Sequence, residues 1–181
     1  MSSSINVCFS TTSGKFSRLI RWFTRSNVSH ALLTFRDETL NKVFVMEANG
    51  RGFMLVPWSK WKRHNQVVAR YKLLADKDVQ LASLRTLSSS LGAEYDYIGI
   101  LGFLLRRFFK RMANPFDNPT KMFCSEVVAQ FLLKAGFPRF DSPETWTPQD
   151  LLEVAQKHKR FVPLPNVEPP STQSSGPAAS G

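Results

Sequence analysis

Cysteine is scarce in this 181-residue chain, with Cys8 and Cys124 as the whole supply. That is too few for a disulfide framework, although one bridge is not excluded. The opening Met-Ser-Ser-Ser-Ile-Asn-Val-Cys has neither the charged nor the apolar region of a signal peptide. No apolar run reaches the roughly 20 residues that cross a bilayer; the longest is Tyr97 to Leu105. The default expectation is therefore a cytoplasmic protein with both thiols reduced, with peripheral membrane or envelope association left open. Acidic residues are thin as well: 14 Asp and Glu stand against 24 Lys and Arg, for a formal net charge of +10 and a pI near 10.0. Such a balance favours an anionic partner without identifying it. No internal repeat is visible.

What is present is globular: 43% of the residues are hydrophobic and 21% charged, enough for one sizeable core. Ile5 to Phe9 reads as a first strand. Ser17 to Phe23 follows as a short basic helix with Phe16, Leu19, Ile20 and Phe23 turned inward. Val28 to Phe35 and Val43 to Ala48 form two strands around a polar turn, and Val67 to Leu74 another. Asp76 caps a helix running to about Leu91, where Gly92 stops it; Leu84, Leu87 and Leu91 form its inner face. A further helix carries Cys124 to Ala135. Thr147-Pro148-Gln149-Asp150 starts the last one, with Thr147 as N-cap. Strands come early and long helices late, so the expected class is α+β: an antiparallel sheet packed against helices. Residues 1–162 make the domain, and 163–181 are a Pro-, Ser- and Gly-rich flexible tail.

The hairpin and the Cys124 helix carry the chemistry. A turn at Asp37 to Leu40 sets His30 opposite Glu47, Leu32 opposite Val45 and Thr34 opposite Val43, and facing side chains lie on one side of a sheet. A carboxylate beside an imidazole fixes its tautomer and raises its basicity. Cys124 opens its helix on the face of Val127, Val128 and Phe131, where backbone N–H groups stabilise a thiolate. A buried cysteine that only packs is the competing reading. A thiol nucleophile needs a base and an orienting group, and Cys124, His30 and Glu47 supply one set. Cys8 lies in an apolar strand and reads as core. His64 and His158 sit in basic surface segments, and Ser125 supports the helix.

Five segments occur in order: Asn27-Val-Ser-His-Ala-Leu-Leu, Val45-Met-Glu-Ala, Gly92-Ala-Glu-Tyr-Asp-Tyr, Phe123-Cys-Ser-Glu-Val-Val and Thr147-Pro-Gln-Asp-Leu. Together they resemble the circularly permuted branch of the NlpC-type papain-like hydrolases, the YiiX-like group. Leu19-Ile-Arg-Trp-Phe-Thr resembles the helix leading into that family's histidine strand, and the likeness covers roughly residues 5–155. The resemblance implies a papain-like fold with Cys124 as nucleophile, His30 as general base and acid, and Glu47 orienting the imidazole. Tyr95 and Asp96 match a motif near the family's site and imply packing or positioning. Many relatives open with a Gly-Asp pair, which Ser4-Ile5-Asn6-Val7 lacks. The implied chemistry passes through an acyl-enzyme and requires no metal or cofactor.

Three functions are compatible with these features. The first is a cysteine amidase or peptidase, with peptidoglycan peptides among the candidate substrates. The second is a thiol-based lipid acyltransferase or lipase, favoured by the apolar-then-basic segment Ile98 to Met112. The third is a non-enzymatic basic module for nucleic acid, although no nucleic-acid motif accompanies its scattered cations. Trp58-Ser-Lys-Trp-Lys-Arg-His either contacts a base, sugar or lipid surface or anchors its loop in the core. The expected partners are a peptide or acyl substrate and an anionic envelope or lipid surface, met through the basic aromatic segments.

Overall fold

The computed structural model describes residues 5–95, 121–140 and 142–166. Its centre is a six-stranded sheet in which every neighbouring pair is antiparallel, in the order β4-β3-β2-β1-β5-β8. The strands are β1 (Asn6–Thr11), β2 (His30–Asp37), β3 (Lys42–Asn49), β4 (Gly52–Pro57), β5 (Gln66–Leu73) and β8 (Phe161–Leu164). Helix α1 (Lys15–Thr24) joins β1 to β2, α2 (Trp58–Trp61) joins β4 to β5, and α3 (Lys77–Ser88) follows β5. A small parallel pair, β6 (Glu94–Tyr95) and β7 (Lys121–Met122), precedes α4 (Cys124–Lys134). Helix α5 (Pro148–Lys157) leads into β8. Among the described residues no helix is long and apolar enough to cross a membrane.

Alternation along the strands divides the core in two. Val7, Phe9, Ala31, Leu33, Met46 and Ala48 pack with Val127, Val128 and Phe131 of α4 and Leu151 and Leu152 of α5. Cys8, Leu32, Val43 and Val45 face the other way, onto Trp58 and Trp61 of α2. Local chemistry sets the helix starts. Asp76 Oδ1 accepts from the N–H groups of Asp78 and Val79, 2.9 and 3.1 Å away. Thr147 and Asp150 cap one another reciprocally, as the sequence predicts.

Several expectations need correction. The turn occupies Glu38 to Asn41, so Thr34 faces Val45 and Leu33 faces Met46. The register is thus displaced by two residues from the expected one. Because side chains alternate with period two, an even displacement leaves His30 and Glu47 on a common face. Helix α1 turns Ser17 and Ile20 inward, while Leu19 is exposed. Helix α3 ends at Ser88, and Leu91 lies outside it, 39% exposed.

Two edge strands were not expected, β4 and β8. The second runs to Leu164, past the expected start of the tail at 163. Arg70 Nη1 then donates to the Pro165 carbonyl at 3.1 Å. Both strands contain proline, which suits edge positions.

Gly52 has φ +106°, and a Cβ there would meet the Ala93 carbonyl oxygen at 2.6 Å. That close approach lets Phe53 N–H donate to the Ala93 carbonyl at 2.8 Å and Gly92 N–H to the Phe53 carbonyl at 2.8 Å. These bonds fasten the segment entering β6 to the sheet. The Ile98 to Met112 segment and Asp96 lie outside the described residues.

Candidate active site

His30 is the first residue of β2, and Glu47 lies near the far end of β3. The observed register makes them diagonal neighbours rather than direct partners, a span that long side chains bridge. His30 Nε2 stands 2.6 Å from Glu47 Oε2. Two further donors hold the carboxylate: Trp61 Nε1 at 2.8 Å from Oε2 and Asn49 Nδ2 at 2.6 Å from Oε1. Glu47 is 4% exposed. Burial alone would raise its pKa, yet the bonds from His30, Trp61 and Asn49 hold it below the usual carboxylate value. It is a buried anion whose acceptor sites are engaged on both oxygens.

Cys124 begins α4, behind Phe123, whose side chain has no acceptor with which to cap the helix. The His30 side chain and the backbone N–H groups of Ala31 and Ser125 lie near enough to the Cys124 sulfur to act on the thiol's ionisation. Since Nε2 is committed to Glu47, Nδ1 is the ring nitrogen left to the sulfur. Burial raises the thiol's pKa. The His30 charge, its hydrogen bond and the two N–H groups outweigh that and bring it below the ordinary value. For His30, burial disfavours the charged form, but the Cys124 thiolate and Glu47 overcome it and push the imidazole up to about 10. Both directions favour a thiolate–imidazolium pair, with Glu47 behind the ring.

The three residues singled out from the sequence thus lie in one chain of contacts. Ser125 is 1% exposed and contributes its backbone N–H to the sulfur. The Tyr95 backbone pairs with Met122, two residues ahead of Cys124. His30 and Glu47 line a cleft of about 330 Å³ with Ser17, Ser29, Asn49 and Asn65. A larger cavity of about 450 Å³ lies elsewhere, between Arg139, Trp146 and Lys157, and holds none of the three.

Sequence reasoning missed the partners of Glu47. Asn49 was accessible in principle, because residues two apart on a strand share a face. Trp61 is 3% exposed and Trp58 1% exposed, so this loop is anchored in the core. A buried indole N–H requires an acceptor, and that requirement was the available signal. Also missed was the hydroxyl cluster beside the cleft, in which Ser17 and Ser29 Oγ atoms lie 2.6 Å apart and Thr11 Oγ1 lies 3.3 Å from Ser17 Oγ.

An antiparallel sheet packed against a thiol-bearing helix start defines an α+β architecture in which Cys124 and Glu47 are buried and His30 is half-buried. The fold matches that of the metalloprotein yiiX from Escherichia coli O157:H7, with a TM-score of 0.57 and 16% identity over 92% of this chain and 98% of that one. In sequence the chain is similar to the probable lipoprotein peptidase YaeF of Escherichia coli K12, 25% identical over 175 residues, covering 82% of this chain and 62% of that protein. It is also similar to the mouse CMP-N-acetylneuraminate-beta-1,4-galactoside alpha-2,3-sialyltransferase, 28% identical over 106 residues, 59% of this chain but 27% of that enzyme. The chain thus spans less than two thirds of either curated relative. No family model matches. Among the described residues no three His, Cys, Asp or Glu side chains gather closely enough to hold a metal ion. Glu47 already accepts from three donors, so these residues do not fit a metal centre.

Proposed function

We propose that the protein is a cysteine hydrolase that cleaves an amide through an acyl-enzyme, with Cys124 as nucleophile, His30 as general acid and base, and Glu47 as the group orienting the imidazole. The observation that carries this reading is His30, whose Nε2 is 2.6 Å from the buried Glu47 carboxylate and whose side chain acts on the Cys124 thiol at the start of α4. The likeness to YaeF, a probable peptidase, supports it. The Cys124 thiolate attacks the carbonyl carbon, forming a C–S bond and placing negative charge on oxygen. Backbone N–H groups at the start of α4 stabilise that oxyanion. The imidazolium gives its proton to the nitrogen as the C–N bond breaks, and the amine departs. Water, losing a proton to His30, then attacks the thioester, the C–S bond breaks, and the acid is released with the thiolate and imidazolium regenerated.

Incubation with peptidoglycan-derived peptides, acyl esters and phosphatidylcholine, followed by mass spectrometry of the intact protein, tests the reading. An acyl adduct on Cys124 with amine release supports the amidase. Acyl transfer from esters alone would replace it with the lipid acyltransferase, and no adduct from any class would reject the catalytic reading.

A further inference from the structure

Helix α1 presents an outer face that the site chemistry does not use. Lys15, Arg18, Leu19 and Trp22 recur at helical spacing and form one exposed stripe, while Ser17 and Ile20 point into the core. Trp22 is 71% exposed and Leu19 37% exposed. Trp58 and Trp61 are buried and Trp146 is half-buried, so Trp22 is the outlier among the four tryptophans. The helix, Lys-Phe-Ser-Arg-Leu-Ile-Arg-Trp-Phe-Thr, contains no acidic residue, and Arg25 follows as its left-handed C-cap. Trp22 also stacks edge-on against Phe23, with centroids 5.0 Å apart.

We infer that this face is a docking surface for an anionic lipid bilayer. An exposed indole and leucine flanked by cations match the interfacial zone, where the indole sits at headgroup level and Lys and Arg meet anionic lipid. Charge complementarity selects an acidic surface over a neutral one. Nucleic acid would engage the cations but leave Leu19 in water, so lipid accounts for more of the face. The helix is held rigidly for this purpose: Ser17 Oγ lies 2.6 Å from Ser29 Oγ and donates to the Thr12 carbonyl at 2.9 Å. Lys15, Phe16, Ser17 and Ile20 also line the cleft beside His30 and Glu47. Docking through α1 brings that cleft to the lipid surface, so a substrate held at the membrane is presented to it. This last consequence rests on the proposed catalytic reading, whereas the docking itself does not.

The test is co-sedimentation of the full chain with vesicles of phosphatidylcholine, with and without about 30% phosphatidylserine, alongside tryptophan emission. The expected result is binding to the acidic vesicles only, with a blue shift from Trp22 and release by about 0.5 M salt. Arg18→Glu should weaken binding on the order of fivefold or more, and Trp22→Ala roughly tenfold. Both sites are exposed, and an unchanged far-UV circular dichroism spectrum verifies that each variant is folded. Equal binding to neutral vesicles, no binding, or variants that bind like the parent would overturn the inference. Binding to single-stranded DNA without binding to vesicles would assign the face to nucleic acid instead. A missing thiolate signal with intact vesicle binding would strike the catalytic reading alone.

Discussion

The two cysteines are almost equally buried, Cys8 at 0% and Cys124 at 2% exposure, yet their thiols are driven in opposite directions. Cys8 lies in the middle of β1 among Leu32, Val45 and Trp58, and burial pushes its thiol up to about 12. Arg70 and Lys62 oppose that rise without cancelling it. Cys124 loses as much water but gains an imidazolium and two backbone N–H groups directed at its sulfur, which bring it below the ordinary value. Burial therefore does not decide whether a thiol is inert or reactive. The decision lies with the charge and donors that replace the lost water.

Substitutions can break this contrast at successive depths. Cys124→Ala should reduce amide turnover by about a thousandfold or more, measured as steady-state amine release. His30→Gln leaves a buried sulfur without its counter-charge. Its thiol should rise above the ordinary value, with iodoacetamide reactivity at neutral pH falling on the order of a hundredfold. Trp61→Phe keeps the ring packing but removes one donor from Glu47 Oε2, at a cost of about 1.5 to 3 kcal/mol for a bond to a charged group. That cost should appear as a lower kcat at constant KM and as a shift in the pH profile, which a packing defect would not produce. Cys8→Ala should be the mildest. Urea titration should find about 1 to 2 kcal/mol of lost stability, and turnover should be unchanged.

Much of this arrangement was legible in the sequence, and the remainder was not for identifiable reasons. The His30–Glu47 pairing survived an incorrect turn because parity, rather than exact register, determines the face. Cys124 at a helix start was visible from the spacing of Val127, Val128 and Phe131. Strands β4 and β8 escaped because Gly52 and Pro57 bound the one and Pro163 interrupts the other. Proline and glycine weaken a strand signal, while ladder bonds on a single side suffice at a sheet edge. Leu19 matched the apolar period of α1 but faces solvent, since tertiary packing selects Ser17 and Ile20 for the core. The bond from Trp61 to Glu47 joins α2 to β3 across the back of the sheet, and no local pattern encodes it.

The most direct test of the ion pair is a titration of thiolate absorbance near 240 nm in the native protein, compared with Cys124→Ala. His30 stays protonated as pH rises until about 10, and the lowered Cys124 thiol ionises below the range of an ordinary thiol. The account predicts one thiolate that forms below the ordinary thiol range, absent from Cys124→Ala and retained in Cys8→Ala. A thiolate signal that first emerges near or above pH 8.5, the range of an ordinary thiol, would contradict it.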